Sequence, residues 1–163
     1  MSPLLLFKNL LFTVLVPGTF GVYLPMVIAG RTGARAAGVG PFWLLGLVLL
    51  ATGSLIYMVC IVEFATRGRG TPAPIDPPRT LVVTGLYRYV RNPMYLGVLS
   101  VVLGWAALTR SPALLLYAAA LWTMFQLVII LYEEPTLRRL FGEAYQRYCH
   151  QVGRWIPGKG LAQ

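Results

Sequence analysis

The sequence predicts an all-α integral membrane protein, a bundle of about four transmembrane helices followed by a C-terminal amphipathic helix. Its 163 residues are 57% hydrophobic and only 12% charged, with a mean hydropathy of +0.68, whereas soluble domains carry about 25% charged residues. The basic residues behind the net charge of +9 flank apolar runs, which indicates anionic lipid headgroups rather than nucleic acid as partners. Cys60 and Cys149 suggest no disulfide framework, and their spacing shows no zinc pattern.

The first apolar run, residues 9–30, contains no charge. Pro17 and Pro25 lie inside it, and membrane helices tolerate such breaks where neighbouring groups satisfy the freed backbone. A signal peptide would have a shorter apolar stretch and a clear small-residue cleavage site, which this run lacks. We therefore expect a kinked first spanning helix.

A second helix is predicted over roughly residues 41–64, because a long uncharged run surrounds Pro41 and proline suits the first turn of a helix. Glu63 falls at its end. The following segment, residues 66–80, has four prolines and two glycines, which exclude a helix and predict a loop outside the hydrocarbon. Residues 81–90 are β-branched and aromatic, and they are either extended or form a short interfacial turn.

The rest of the chain is organised around a hairpin of two spanning helices. Between Arg91 and Arg110 lie 18 uncharged residues, and between Arg110 and Glu133 lie 22 more. Each run is long enough to cross a hydrocarbon core of about 30 Å. A short polar break with a proline follows Arg110, so the chain turns straight back. Arg91 and Asn92 are therefore expected to end level with Glu133 and Glu134 at one membrane surface.

After Glu134 the pattern becomes that of an amphipathic helix, lying on the membrane or capping the bundle. Pro135 is predicted to kink or restart the helix. Apolar residues then recur at steps of three and four, at Leu137, Leu140, Phe141, Tyr145, Tyr148 and Val152. Residues 154–157, Arg-Trp-Ile-Pro, are typical of an interfacial anchor.

The basic residues predict the orientation. With four spans, eleven Lys and Arg residues lie on the side of both termini and three on the other. Both termini, and the cluster around Arg91 and Glu133, are thus expected in the cytoplasm. We interpret residues 1–163 as one domain. It comprises helices one and two (1–64), a cytoplasmic cofactor loop (65–93), the hairpin (94–134) and the amphipathic helix with its anchor (135–157).

The polar cluster at this surface suits S-adenosylmethionine, which has an adenine, a ribose, an amine and a carboxylate. Arg91 is able to hold the carboxylate bidentately. Glu133 or Glu134 is able to accept hydrogen bonds from the ribose hydroxyls or the ammonium group. An adenine slot is predicted from the backbone around Gly85 and three tyrosines, Tyr87, Tyr89 and Tyr95. The chain has no GxGxxG after a strand, which excludes a soluble Rossmann-type methyltransferase.

Two parts of the chain resemble the isoprenylcysteine carboxyl methyltransferase and phospholipid methyltransferase superfamily. Residues 83–97 end in Arg-Asn-Pro-Met-Tyr-Leu-Gly, and residues 133–137 read Glu-Glu-Pro-Thr-Leu. Phe-Gly-Glu-Ala-Tyr at 141–145 and Arg-Trp-Ile-Pro at 154–157 continue the match, which covers roughly residues 80–157. The resemblance implies a membrane-embedded enzyme that takes S-adenosylmethionine from the cytosol and a lipid-like or small hydrophobic acceptor from the bilayer.

The resemblance also suggests roles for individual residues. Cofactor binding is expected at Val83, Gly85, Tyr87, Arg91, Asn92, Tyr95, Glu133 and Glu134. Catalytic roles are expected for Arg91, Glu134 and Arg154, with Arg154 closing the site from the C-terminal side. Asn92 replaces the histidine of the isoprenylcysteine enzymes, as in bacterial relatives, which implies a prokaryotic cell membrane. Asparagine brings no positive charge that could attract a carboxylate. The hypothesis of a carboxylate acceptor is therefore weaker, and an amine, a thiol or another small nucleophile stays open.

These residues also have simpler interpretations. Arg91 is also typical of an arginine facing headgroups, Glu134 equally suits a pair with Arg138 at i,i+4, and Gly97 suits close helix packing as well as a cofactor wall. The alternative functions are a small transporter with Glu63 as its proton-coupled residue, or a non-catalytic membrane scaffold. A chain with so few spans is also compatible with a dimer.

Overall fold

The computed structural model describes residues 3–36, 38–68 and 80–158, with side chains from Phe7 onward. These residues form helices and no strand, which confirms the all-α prediction. Three helices are long and apolar enough to cross a membrane, and a shorter apolar helix accompanies them. The long helices are Phe7–Arg31, Pro41–Gly68 and Pro112–Gln151, and the shorter one is Pro93–Thr109.

The first span contains α1 (Pro3–Leu15) and α2 (Leu24–Arg31), joined through a π-helical turn at Thr19–Tyr23. In that turn the Leu24 N–H bonds to the carbonyl of Thr19, five residues back. The carbonyl of Phe20 therefore loses its usual helical donor, and it accepts a hydrogen bond from the Tyr117 hydroxyl at 2.8 Å. A neighbouring helix thus satisfies the backbone group that the irregular turn frees.

Helices α3 (Pro41–Glu63) and α4 (Pro93–Thr109) pack through facing glycines. A Cβ atom at Gly53 would lie 2.6 Å from the Gly97 carbonyl oxygen, and one at Gly97 would lie 2.8 Å from the Gly53 carbonyl oxygen. Seven residues further along α4, a Cβ at Gly104 would lie 2.9 Å from the Gly46 carbonyl oxygen. Only glycine permits this backbone approach, so the packing role expected for Gly97 is confirmed.

The hairpin consists of α4 and α5 (Pro112–Val128), and a π-helical turn at Ile129–Glu133 connects α5 to α6 (Glu134–Gln151). Between α4 and α5, Arg110 adopts a left-handed conformation with φ of 48° and ends α4. The predicted return of the chain is confirmed, because the Arg91 guanidinium lies 3.2 Å from the carboxylate of Glu134.

One sequence prediction about a helix end was wrong. The helix that contains α3 continues as a π-helical turn, Phe64–Gly68, into the segment predicted to exclude a helix. None of the four prolines of residues 66–80 precedes Gly68, so the backbone hydrogen bonds continue to that point. Residues 69–79 of the predicted loop lie outside the described residues. Of the two alternatives for Pro135, the restart of the helix is confirmed, because Pro135 occupies the first turn of α6, where its missing N–H costs nothing.

The irregularity in the last helix lies instead at Gly142, with φ of 49° and ψ of −124°. Positive φ is accessible to glycine because it lacks a Cβ atom. Tyr145, Tyr148 and Val152 of the amphipathic pattern are buried in the protein, whereas Leu140 is 52% exposed. This break lies between the first turns of α6 and the later part of α6, which carries the buried residues Tyr145 and Tyr148.

We expect Gly53→Ala to lower the free energy of unfolding by about 1–3 kcal/mol, the usual cost of overpacking. The added methyl would displace backbone atoms of Gly97 and Val101, which have no flexible end that can move away. Reversible unfolding in mixed micelles with increasing sodium dodecyl sulfate measures the change.

The matched control is Gly30→Ala, because no heavy atom lies within 4 Å of a Cβ at Gly30. Its stability should stay equal or rise slightly through helix propensity. Equal stabilities for the Gly53 and Gly30 variants would contradict the proposed glycine packing.

Candidate active site

A short turn, Gly85–Arg88, is attached to the end of α3 through Glu63. The Thr84 hydroxyl donates a hydrogen bond to Glu63 Oε2 at 2.5 Å, and Arg67 lies 3.3 Å from the same oxygen. Gly85 has φ of 56°, which favours glycine, and a Cβ there would lie 2.8 Å from Glu63 Oε1 and displace that carboxylate. Glu63, the residue of the transporter alternative, thus anchors this turn.

Tyr87 is the buried residue of the turn. Its carbonyl accepts a hydrogen bond from the Tyr148 hydroxyl at 2.7 Å, which joins the turn to α6. Burial raises the pKa of the Tyr87 phenol well above its usual value, so this group stays neutral and remains a hydrogen-bond donor. Tyr89, two residues later, is 56% exposed.

Glu134 is the most highly coordinated charged residue at this surface. Its side chain is buried, and Oε1 accepts from Arg91 Nη1 at 3.2 Å and from Arg154 Nε at 2.8 Å. Oε2 lies 3.6 Å from Arg138, whose side chain is 60% exposed, so this i,i+4 pair contributes little. The predicted i,i+4 pair of Glu134 with Arg138 is therefore present, beside the contacts with Arg91 and Arg154. The hydrogen bond to Glu134 raises the pKa of the Arg154 guanidinium, which therefore stays charged.

Arg91 is held from two sides. Its backbone N–H donates to the Gly153 carbonyl at 2.9 Å, and its Nη1 also donates to Cys149 Sγ at 2.8 Å. Its Nε is buried and has no hydrogen-bond partner among the described residues. The guanidinium is therefore oriented by its neighbours and retains a buried donor for a further group.

Glu133 has a different environment from Glu134, although the two are adjacent. Its Oε1 accepts a hydrogen bond from the Tyr95 hydroxyl. The Tyr95 ring packs against Phe125, with 4.4 Å between the ring centroids. Among the residues that the structure describes, no lysine or arginine forms an ion pair with Glu133. The charge of Glu134 is thus compensated by arginines, whereas the partner of Glu133 among the described residues is the neutral Tyr95 hydroxyl.

A cavity of about 140 Å³ lies between these groups. Six of the predicted site residues line it, namely Tyr87, Arg91, Asn92, Tyr95, Glu133 and Glu134. Val83 and Gly85 do not line it: Val83 packs with the cluster of Tyr145, Tyr148 and Val152, and Gly85 contacts Glu63. Arg154 and Tyr89 do not line the cavity either, but Arg154 contacts Glu134, which does.

Sequence reasoning missed most of the apolar wall. The additional lining residues are Phe12, Phe64, Leu81, Val82, Met94, Ile129, Tyr132, Thr136, Leu137, Tyr145 and Tyr148. Tyr145 and Tyr148 do follow the apolar stripe of α6, but the pattern favoured interfacial packing for them. Nothing local in the sequence marks Phe12, which comes from the N-terminal helix.

The fold and cavity define a helical membrane protein with a cluster of arginines and carboxylates at the ends of its spans. The chain belongs to the phospholipid methyltransferase family, whose model matches residues 42–144. It is 31% identical over 117 residues to a probable protein-S-isoprenylcysteine O-methyltransferase from Oryza sativa subsp. indica, covering 69% of this chain and 59% of the relative. This chain thus spans somewhat more than half of the rice protein.

Other relatives match over shorter regions. Methanethiol S-methyltransferase 1 of Bradyrhizobium diazoefficiens is 42% identical over 72 residues, which are 44% of this chain and 24% of that protein. Protein-S-isoprenylcysteine O-methyltransferase of Schizosaccharomyces pombe is 37% identical over 78 residues, 47% of this chain and 33% of that protein. No solved structure shows a significant match. The superfamily resemblance noted from the motifs is confirmed.

We expect Glu134→Gln to lower the free energy of unfolding by about 3 kcal/mol, because it leaves the buried Arg91 without its counter-charge. Thermal unfolding in detergent, followed by circular dichroism, measures the loss.

Glu143→Gln is the control, since Glu143 and its partner Arg147 have side chains that are 88% and 71% exposed. That change should leave stability nearly unaltered. A Glu134 variant as stable as the Glu143 variant would show that the buried cluster does not hold the fold together.

Proposed function

We propose that this protein transfers a methyl group from S-adenosylmethionine to a lipophilic acceptor that reaches the cavity from the membrane. One observation carries the proposal. The buried Nε of Arg91 lacks a partner, and a carboxylate, Glu133, without an ion-pair partner among the described residues lines the same cavity. Such a pair of opposite, unmatched groups suits a ligand that itself carries both charges. The family membership and the methyltransferase names of the relatives support the same activity.

The residues present fit this cofactor. Arg91 would hold its carboxylate through the donor that has no partner in the protein. Glu133 would face its positive charge, and the rings of Tyr87 and Tyr95 offer aromatic surface in the same cavity. When bound, S-adenosylmethionine supplies a methyl group on a positively charged sulfur. Because the reaction is a direct displacement, the protein contributes chiefly by orienting the two reactants and excluding water.

Glu134 is proposed to act indirectly. Since its Oε1 already accepts from Arg91 and Arg154, we assign it the role of positioning the Arg91 guanidinium. Glu133 is then the carboxylate that touches ligand. A thiol or amine acceptor must lose a proton during methylation, and Glu133 would take it. The same negative charge disfavours an acceptor that carries a carboxylate, unless the cofactor neutralises it first.

The apolar part of the cavity supports a lipophilic acceptor. Phe12, Phe64 and Ile129 line it, and each belongs to a helix long and apolar enough to cross a membrane. An acceptor with an apolar tail would therefore pass between helices while its reacting group reaches Glu133. The names of the relatives include both a prenylated cysteine and methanethiol as methyl acceptors, so we propose the shared property, an apolar molecule with one nucleophilic end.

The cavity is proposed to face the cytoplasm, the source of the cofactor. Exposed arginines on α6 support this orientation through the positive-inside rule, and we propose that they contact anionic headgroups. These arginines are Arg138, Arg139 and Arg147.

Calorimetry on the detergent-purified protein is expected to detect S-adenosylmethionine binding in the wild type. Arg91→Lys and Glu133→Gln should each weaken it at least about tenfold, since each removes a charge-assisted contact worth about 1.5–3 kcal/mol. Arg139→Gln is the control, because Arg139 is exposed and does not line the cavity. Binding in all four proteins with equal affinity, or in none of them even in lipid nanodiscs, would contradict the proposed function.

A green fluorescent protein joined to the C-terminus should be fluorescent in a bacterial host, and alkaline phosphatase at the same place should be inactive. This result is expected because the basic residues near the C-terminus keep it in the cytoplasm. Fusions at Arg110, between α4 and α5, should give the reverse pattern. An active phosphatase at the C-terminus would invert the proposed orientation.

A further inference from the structure

The segment after α6, residues 152–158, folds back over the cluster, and we call it the C-terminal strap. Its backbone pairs with the segment before α4, where Val90 and Gly153 form an isolated parallel bridge. The Arg91 N–H donates to the Gly153 carbonyl at 2.9 Å, and the Gly158 N–H donates to the Tyr89 carbonyl at 3.2 Å. The strap therefore contacts directly the stretch of chain that carries Arg91.

Two glycines let the strap turn back this tightly. A Cβ at Gly153 would lie 2.1 Å from the Ile156 carbonyl oxygen, and a Cβ at Gly158 would lie 2.5 Å from the Gln151 carbonyl oxygen. Both distances are too short for any side chain. The strap is thus a compact folded segment.

Side chains tie the strap to three different helices. Asn92, beside the start of α4, donates from Nδ2 to the Arg154 carbonyl at 3.1 Å. Arg154 binds Glu134 of α6 at 2.8 Å. Trp155 donates from Nε1 to Gln126 Oε1 of α5 at 2.6 Å, and its ring also lies near that of Trp122, with 6.3 Å between centroids.

Gln126 is the unexplained member of this set. It is a polar side chain within an apolar spanning helix, where such residues are costly and usually functional. It does not line the cavity. The hydrogen bond that the structure gives its side chain is the one from Trp155. Gln126 is therefore explained as the hydrogen-bond acceptor that α5 provides for Trp155 of the strap.

We propose that Gln126 and Trp155 form a latch that holds the C-terminal strap down and so positions Arg91 for ligand. The coupling runs through two contacts of the strap, the Gly153 carbonyl on the Arg91 backbone and the Arg154 guanidinium on Glu134. When the latch opens, Glu134 loses one of its arginines and the Arg91 backbone loses its acceptor. Gln126 is thus a positioning residue, and this role rests on the proposed binding of S-adenosylmethionine.

The test compares Gln126→Leu with Thr123→Val on the same helix. Leucine removes the acceptor and is at least as favourable as glutamine in a spanning helix, so the variant is expected to fold. Thr123 is exposed, and its hydroxyl donates to the Ala119 carbonyl of its own helix. Trypsin cleavage after Arg154, followed by intact mass spectrometry, reports the docking of the strap without any ligand.

We expect Gln126→Leu to speed cleavage after Arg154 and to weaken S-adenosylmethionine binding by about fivefold to tenfold, the effect of one lost hydrogen bond. Thr123→Val should change neither. Trp155→Phe should reproduce the Gln126 variant, and the double variant should be no worse than either single change, because both remove the same bond.

Unchanged cleavage in Gln126→Leu would overturn the latch, whatever the wild type binds. Faster cleavage with unchanged affinity for S-adenosylmethionine would overturn the proposal that the latch positions Arg91. Additive effects of the two single changes would show that Gln126 and Trp155 act separately. That result would also overturn the latch. A wild type that binds no cofactor counts against the proposed function, while the cleavage rates still decide whether the latch exists.

Discussion

The carboxylate of Glu134 is the point on which the polar end of the structure depends. It is buried at the end of a spanning helix, where an unpaired charge would be very costly. Arg91 comes to it from the start of α4 and Arg154 from the C-terminal strap. Because this charge must be compensated, three stretches of chain that are distant in sequence are brought together around it.

This constraint also explains why two adjacent glutamates differ. Successive residues on a helix point about 100° apart, so Glu133 and Glu134 cannot face the same neighbours. Glu134 contacts the arginines and Glu133 contacts Tyr95, although both line the cavity. Glu134 is thus paired with two arginines, whereas Glu133 accepts a hydrogen bond from a neutral tyrosine. The glycine contact between α3 and α4 also fixes the position of Arg91, because it packs the start of α4 closely against α3.

The predicted hairpin is confirmed, and it brings several of the predicted site residues together. Arg91, Tyr95 and the two glutamates line one cavity, as a return of the chain to the same surface requires. Two residues that the sequence groups with the site lie elsewhere. Tyr89 lies two residues from Tyr87 but is exposed, and Gly85 faces Glu63. A single helical turn sends successive residues in different directions, and sequence proximity alone does not say which of them faces inward.

The sequence by itself determined the membrane class, the helical hairpin and the surface at which its charges gather. Each follows from local properties, namely the length of uncharged runs and the polar break between them. Only the tertiary structure decided which carboxylate is neutralised, that Phe12 reaches the cavity and that the strap returns to Gln126. These outcomes depend on contacts between residues far apart in the chain. Such contacts arise from packing and from the cost of burying charge, which no local pattern encodes.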